Sequence, residues 1–172
     1  MRKIALFVVI ALTLALPAPA LANPYTLWDG GNCCWYAWEM AKQHWGVDLP
    51  WAGDARCWRT LDGAAAYTVT GQVYHVRAVN KPVAGSIMVF QPIALDALNG
   101  GKSFTNDHYG HVAWVYAVDN IQPKGWQVIC VRESGIWPPK GWDVWHGCEY
   151  RDNYYYWPPG GMKGVGFLTL GR

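Results

Sequence analysis

The sequence lacks the positive charge that a nucleic-acid-binding protein needs. Its 14 basic residues barely exceed its 12 acidic residues, and two of the basic ones, Arg2 and Lys3, lie at the very start of the chain. From Asn23 onward the chain is formally neutral. Proteins that bind nucleic acid carry a basic surplus, usually clustered on one face. We therefore expect no nucleic-acid partner.

The sequence also lacks an apolar run long enough for a confident membrane span. The apolar segment 4–16 is shorter than the roughly 20 residues that a helix needs to cross a bilayer. Basic residues before it and the small-residue pattern Ala20-Leu21-Ala22 after it are typical of a secretory signal peptide. We expect residues 1–22 to be cleaved, which leaves no stable membrane span and a secreted, periplasmic or cell-wall-associated protein. An uncleaved N-terminal anchor is the alternative.

Internal repeats and low-complexity linkers are absent as well, so residues 23–172 are expected to form a single domain. What is abundant is aromatic: the chain has 12 Trp and 10 Tyr, all after residue 22. Tryptophan and tyrosine can line a groove, where their faces stack on sugar rings or apolar peptide, or they can simply fill a core. Composition alone leaves both interpretations open.

The spacing of apolar residues predicts helices first and strands afterwards, which is typical of an α+β fold. A first helix is expected at Cys33–Trp45, ended by Gly46, and a second, weaker helix at residues 55–66. The two long loops expected are residues 91–110 and a loop-rich aromatic cap, residues 136–161. The strands predicted are residues 69–79, 86–90, 111–118, Trp126–Glu133 and residues 165–170.

Five cysteines are present, and an odd number in a secreted protein leaves one thiol over. They are Cys33, Cys34, Cys57, Cys130 and Cys148. Four of them could form disulfides in three pairings, which the sequence does not distinguish. Adjacent cysteines rarely bond to each other, so we expect Cys33 and Cys34 to have separate fates. Taken alone, the two cysteines are explained as well by small apolar residues or disulfide partners as by a reactive thiol.

Cys33 is the candidate nucleophile, because it lies where a glycine-bearing turn is expected to become a helix. The unpaired N–H groups and positive dipole end of a helix N-terminus favour a thiolate. A cysteine nucleophile needs a histidine base, and His111 is the best of five candidates because it follows Gly110 and begins an alternating strand. His108 competes, but it lies inside the predicted loop.

Glu133 is the candidate that orients this base, since it ends the next predicted strand. Neighbouring antiparallel strands can place the two side chains on one side of the sheet. The alternative is an ordinary surface carboxylate paired with Arg132.

Four segments, taken in order, resemble CHAP domains, the cysteine- and histidine-dependent amidohydrolases/peptidases. The resemblance implies a papain-like α+β fold with N-terminal helices packed on an antiparallel β-sheet. It implies Cys33, His111 and Glu133 as catalytic residues, no cofactor, and peptidoglycan as substrate. The bond cut would be an amide, in a muramoyl-alanine amidase or a stem-peptide or cross-bridge endopeptidase, and the protein would act as a monomer. The matching segments are Gly31-Asn32-Cys33-Cys34-Trp35-Tyr36-Ala37-Trp38, Gly85-Ser86-Ile87-Met88-Val89-Phe90, Gly110-His111-Val112-Ala113-Trp114-Val115 and Val131-Arg132-Glu133.

The chain departs from the CHAP pattern at two places. CHAP domains usually carry Gln before the cysteine and Thr, Ser or Val after it, where this chain has Asn32 and Cys34. They often carry Asn two residues after the glutamate, where this chain has Gly135. The orienting role would then fall to Glu133 alone or be shared with Ser134.

Two other classes fit parts of the sequence. A zinc site could use His108, His111, His146, Cys130 and Cys148, but their spacing is poor, so we expect no metal. A non-catalytic cell-wall- or glycan-binding module would explain the aromatic surplus without any chemistry at Cys33.

Overall fold

The computed structural model describes residues 21–26, 32–94, 107–135 and 151–171. Within these ranges the chain forms the 13-residue α-helix α1 (Cys33–Trp45), a short helical segment at residues 92–94, and 3₁₀ helices at Ala55–Leu61 and Asp107–Tyr109. The strands are β1 (Val47–Asp48), β2 (Ala65–Thr68), β3 (Val73–Val79), β4 (Ile87–Phe90), β5 (His111–Ile121), β6 (Trp126–Glu133), β7 (Arg151–Trp157) and β8 (Val165–Gly171). The architecture is α+β, as the sequence predicts.

All eight strands belong to one antiparallel sheet, in the order β1-β2-β3-β8-β4-β5-β6-β7. The last strand along the chain, β8, therefore lies between β3 and β4 at the centre. The strand pairs that matter most here are β4 with β5, where Phe90 lies opposite His111, and β6 with β7, where Val131 lies opposite Asn153.

Both faces of the sheet are covered by apolar side chains, because residues alternate between faces along each strand. Ile87 and Val89 of β4 pack in a cluster with α1, whereas Met88 and Phe90 pack in a second cluster on the opposite face. All four side chains are fully buried. This double coverage makes β4 a rigid support for the start of β5.

The limits of α1 follow from local chemistry at each end. Asn32 is the N-cap, and its side-chain oxygen accepts hydrogen bonds from the backbone N–H groups of Cys34 and Trp35. Gly46 closes the helix in the left-handed conformation, with φ of +70°, and its N–H donates to Lys42. The predicted first helix is confirmed at both ends. No helix in the described ranges is long and apolar enough to cross a membrane.

The predicted second helix, residues 55–66, is wrong in its second half. A 3₁₀ helix covers Ala55–Leu61, and Gly63, with φ of +79°, then turns the chain into β2. Ala66 lies opposite Tyr74 and is fully buried against the core. Burial in the sheet outweighs the helix propensity of alanine here. The strand predicted at residues 69–79 correspondingly starts only at Val73.

The aromatic cap predicted at residues 136–161 is corrected by β7. Residues 151–157 form a strand that pairs with β6. Side chains alternate along it: Tyr154 and Tyr156 are exposed, whereas Tyr155 and Trp157 are more buried. Aromatic residues suit a half-buried pleated surface. Residues 136–150 of the predicted cap lie outside the described residues, as do residues 95–106 of the other predicted loop and residues 1–20 of the predicted signal peptide.

Candidate active site

Cys33 is the first residue of α1, as the sequence predicts. The side chain of Asn32 is fully engaged, since its Nδ2 donates to the Thr26 backbone oxygen at 2.8 Å while its Oδ1 caps Cys34 and Trp35. The backbone N–H of Cys33 has no acceptor among the described residues. It therefore remains available beside the thiol, as the first N–H groups of a helix do.

His111 begins β5 and is 3% exposed. Gly110 before it has φ of +72°, and a Cβ at this position would lie 2.5 Å from the Phe90 backbone oxygen and 2.8 Å from the Arg56 nitrogen. A glycine is needed here because two other backbone segments pass close by, which fixes the start of the strand that carries His111. The His111 ring also packs on the Phe90 ring, with centroids 5.6 Å apart.

Gly110→Ala is expected to destabilise the protein by more than about 2 kcal/mol and to lower activity by displacing His111. Gly71→Ala is the matched control, because Gly71 has φ of +82° but open space around it. It should cost only the backbone strain, about 1 kcal/mol. Urea unfolding of both variants measures the difference, and equal losses would contradict the close approach seen at Gly110.

Glu133 ends β6 and is completely buried. Its Oε2 accepts a hydrogen bond from His111 Nε2 at 3.1 Å. The Nδ1 atom of the same ring is then left for the Cys33 thiol, with which His111 also hydrogen-bonds. The alternative of an ordinary surface carboxylate is wrong, because Glu133 is fully buried. Arg132 Nε pairs with Asp152 at 2.7 Å. The structure thus brings Cys33, His111 and Glu133 together in that order.

Two further residues contact Glu133, and sequence reasoning missed both. Asn153 Nδ2 donates to Glu133 Oε1 at 2.8 Å, and the Tyr155 hydroxyl donates to Oε2 at 2.9 Å. Both lie on β7, which was predicted as part of a loop-rich cap. The alternation of residues 151–157 could have indicated the strand, but nothing in the sequence indicates its partner. Ser134, the other residue considered for the orienting role, is buried, with no hydrogen bond to His111 within the described part of the chain.

The electrostatics of the site favour charge separation between Cys33 and His111. A hydrogen bond from the Cys34 thiol lowers the pKa of Cys33; burial opposes this, but the hydrogen bond and charge of His111 and the Val112 N–H bring the pKa well below its ordinary value. Burial alone would lower the pKa of His111, yet its interactions with Cys33 and Glu133 outweigh that effect and raise it to about 9. Both shifts favour the thiolate–imidazolium form of the pair near neutral pH.

Cys34 has a different state from its neighbour. Its hydrogen bond to Cys33, together with burial, raises the pKa of Cys34, so this residue stays a neutral thiol. It is 5% exposed and packs in the core beneath α1. Cys33, Cys34, Cys57 and Cys130 are all free thiols, so the expected disulfides do not form among the described residues, and Cys148 lies outside them.

These pKa directions predict a bell-shaped dependence of kcat/KM on pH for an amide substrate. Activity requires deprotonated Cys33 and protonated His111. Because the pKa of Cys33 is lowered and that of His111 is raised to about 9, the plateau should extend through neutral pH and end near pH 9. Initial rates on soluble peptidoglycan fragments measure this profile. A single rise toward alkaline pH would show that no such ion pair exists.

The described part of the structure gives no support to a zinc site. His111 is occupied by Cys33 and Glu133, and His108 is exposed on the 3₁₀ helix Asp107–Tyr109. The described segments contain no group of three or more potential metal ligands, while His146 and Cys148 lie outside them. The remaining histidines are used elsewhere: His44 stacks on Trp114, and His75 hydrogen-bonds to the Gly63 oxygen.

Comparison with protein families gives a match to the CHAP domain over residues 22–135, more than half of the chain. The chain belongs to the CHAP domain family. A comparison with curated proteins finds no match. The CHAP match includes Cys33, His111 and Glu133 and ends at Gly135, so β7 and β8 lie beyond it. Membership indicates a hydrolase of the peptidoglycan amidase or peptidase type.

Proposed function

We propose that this CHAP protein is a secreted or cell-wall-associated peptidoglycan hydrolase that cleaves an amide bond by thiol acyl transfer. The observation that carries the proposal is the buried series of contacts from Cys33 through His111 to Glu133. A thiol, an imidazole and a carboxylate in this order are the parts that cysteine hydrolases need. All three come from one chain, which is consistent with action as a monomer.

The reaction follows from the atoms present. The Cys33 thiolate adds to the amide carbonyl carbon, and the backbone N–H of Cys33 donates to the oxyanion that forms. His111 gives its Nδ1 proton to the leaving amine, so the C–N bond breaks and a thioester to Cys33 remains. His111 then takes a proton from water, whose oxygen attacks the thioester and releases a carboxylic acid and the thiolate.

Glu133 supports both steps by holding His111 through Nε2. Its negative charge stabilises the imidazolium, and the hydrogen bond fixes which ring nitrogen faces the thiol. A cysteine at a helix N-terminus and a histidine on an antiparallel strand also support the papain-like version of the α+β fold. We therefore propose amide hydrolysis, by a muramoyl-alanine amidase or by a stem-peptide or cross-bridge endopeptidase.

Digestion of purified peptidoglycan, followed by mass spectrometry of the released fragments, tests this proposal. A freed lactyl carboxyl on the glycan would identify a muramoyl-alanine amidase. A new peptide terminus would identify a stem-peptide or cross-bridge endopeptidase. Fragments identical to those from a Cys33→Ala control would reject amide hydrolysis by this site.

A non-catalytic cell-wall-binding module is the second candidate, favoured by exposed aromatic side chains. Tyr116, Tyr154 and Tyr156 are 46%, 59% and 55% exposed. Such rings can stack on sugars. Sedimentation with insoluble peptidoglycan separates the two functions: a pure binding module would bind without releasing fragments, and Tyr154→Ala with Tyr156→Ala would reduce that binding.

A further inference from the structure

The Glu133 carboxylate is a fully buried charge. His111 donates one hydrogen bond, to Oε2, and the other oxygen, Oε1, needs a donor of its own. A carboxylate removed from water takes up a proton unless hydrogen-bond donors replace its hydration. A protonated Glu133 could no longer stabilise an imidazolium on His111. The groups that keep Glu133 ionised therefore also maintain the ion pair between His111 and Cys33.

Strand β7 brings two neutral donors to this carboxylate. Asn153 and Tyr155 lie two residues apart, hence on the same face of the strand, and they pair along the ladder with Val131 and Ile129 of β6. Asn153 Nδ2 donates to Oε1 at 2.8 Å and the Tyr155 hydroxyl to Oε2 at 2.9 Å. Both carboxylate oxygens are thus reached from one strand.

The two donors are themselves held in place. The Oδ1 atom of Asn153 accepts the backbone N–H of Tyr154 at 2.8 Å, which orients its amide so that Nδ2 faces Glu133. The Tyr155 ring packs on Phe90 with centroids 4.9 Å apart, and Phe90 in turn packs on His111. Donors fixed in this way need no rearrangement when charge develops on the imidazole.

We propose that Asn153 and Tyr155 are positioning residues that keep Glu133 ionised and oriented toward His111. The proposal rests on the proposed function of Cys33, His111 and Glu133. The residue two positions after Glu133 is Gly135, which has no side chain to donate, so this support comes from a strand outside the matched residues 22–135. Among the groups that contact the carboxylate are His111 from β5 and the two β7 donors.

Tyr155→Phe tests the proposal most cleanly, because it removes the hydroxyl and keeps the ring against Phe90. With one donor fewer, Glu133 takes up a proton at a higher pH, and the thiolate of Cys33 is lost with the imidazolium. The acidic limb of the pH profile should therefore move up by about one pH unit. The alkaline limb should stay in place, because Glu133 is ionised there in both proteins. Asn153→Leu should move the acidic limb in the same direction.

Two readouts and a matched control separate the possible outcomes. The first readout is kcat/KM against pH, and the second is the alkylation rate of Cys33 against pH, followed by peptide mass spectrometry, which needs no substrate. The controls are Tyr67→Phe on β2 and Asn120→Leu on β5, since both side chains are exposed and neither contacts Glu133 or His111. Both controls should reproduce the parent profile.

A shift of the acidic limb in Tyr155→Phe and Asn153→Leu, absent from the controls, would support the positioning role. An equal loss of rate at every pH, or an unchanged profile in both variants, would overturn it. Failure of the proposed function looks different, because Cys33→Ala would then retain full hydrolysis. Even in that case, the alkylation profile of Cys33 would still report whether β7 supports the thiolate.

Discussion

Cys33→Ala is expected to lower the rate of peptidoglycan hydrolysis by about ten-thousand-fold or more, because no other described thiol is placed against His111. Loss of a covalent nucleophile removes the acyl-enzyme route altogether. The helix should be unaffected, since alanine is a good helix former and the cap is provided by Asn32. Fragment release at pH 7 and thermal unfolding measure the two parts of this prediction.

Cys57→Ala is the matched control for that experiment. Cys57 is also a free, partly buried thiol, but it lies on the 3₁₀ helix Ala55–Leu61 and takes no part in the contacts of His111. Its replacement should leave hydrolysis within about twofold of the parent, as is usual away from a site. Full activity in Cys33→Ala, or equal losses in both variants, would contradict the assignment of the nucleophile.

Glu133→Gln is expected to reduce kcat/KM by about one hundred- to ten-thousand-fold and to destabilise the fold by about 2–4 kcal/mol. The amide group has one acceptor oxygen and one donor nitrogen, whereas the buried carboxylate accepts hydrogen bonds from His111, Asn153 and Tyr155. At least one of these donors would therefore face another donor, and the imidazolium would lose its counter-charge. Steady-state kinetics and urea unfolding measure the two effects.

Glu39→Gln provides the comparison for Glu133→Gln. Glu39 also accepts a hydrogen bond from an asparagine, Asn23, at 2.8 Å, but it lies partly exposed on α1. Both effects should be small there. Similar kinetic losses in the two variants would show that the Glu133 effect comes from a general weakening of the fold and not from the site.

Local signals explain why the first helix could be predicted so closely from the sequence. The N-cap at Asn32 and the left-handed glycine at Gly46 both act within a few residues, so the pattern contains the information that fixes each end. The choice of His111 over His108 rested on a similar local feature, the glycine before an alternating strand. In the structure that glycine is indeed closely approached, by the backbones of Phe90 and Arg56.

Contacts between distant segments explain what the sequence did not reveal. Residues rich in Trp, Tyr and Pro resemble a loop until a partner strand is present, and β7 becomes a strand only beside β6. Asn153 contacts a carboxylate 20 residues earlier in the chain, a pairing that no local pattern specifies. Ala65 and Ala66 lie within the predicted second helix but form part of β2 for the same reason, since pairing with β3 decides their conformation.

The chemical state of Cys34, disulfide partner or protonated thiol, is a second feature that only the structure reveals. From the sequence alone, Cys34 is explained as a small apolar residue or as a disulfide partner. Both cysteines lie in the first turn of α1, and a disulfide between neighbours would require that turn to distort. Cys34 is instead a buried, neutral donor to the Cys33 sulfur.

The alkylation rate of Cys33 as a function of pH tests the central claim, a thiolate–imidazolium pair, most directly. Iodoacetamide labelling followed by peptide mass spectrometry resolves Cys33 from the other cysteines in one sample. If the pair exists, Cys33 is alkylated much faster at pH 6 than an ordinary thiol, which is almost entirely protonated at that pH. If the rate at Cys33 instead rises only as the pH passes about 8.5, the thiol is unactivated and the account is wrong.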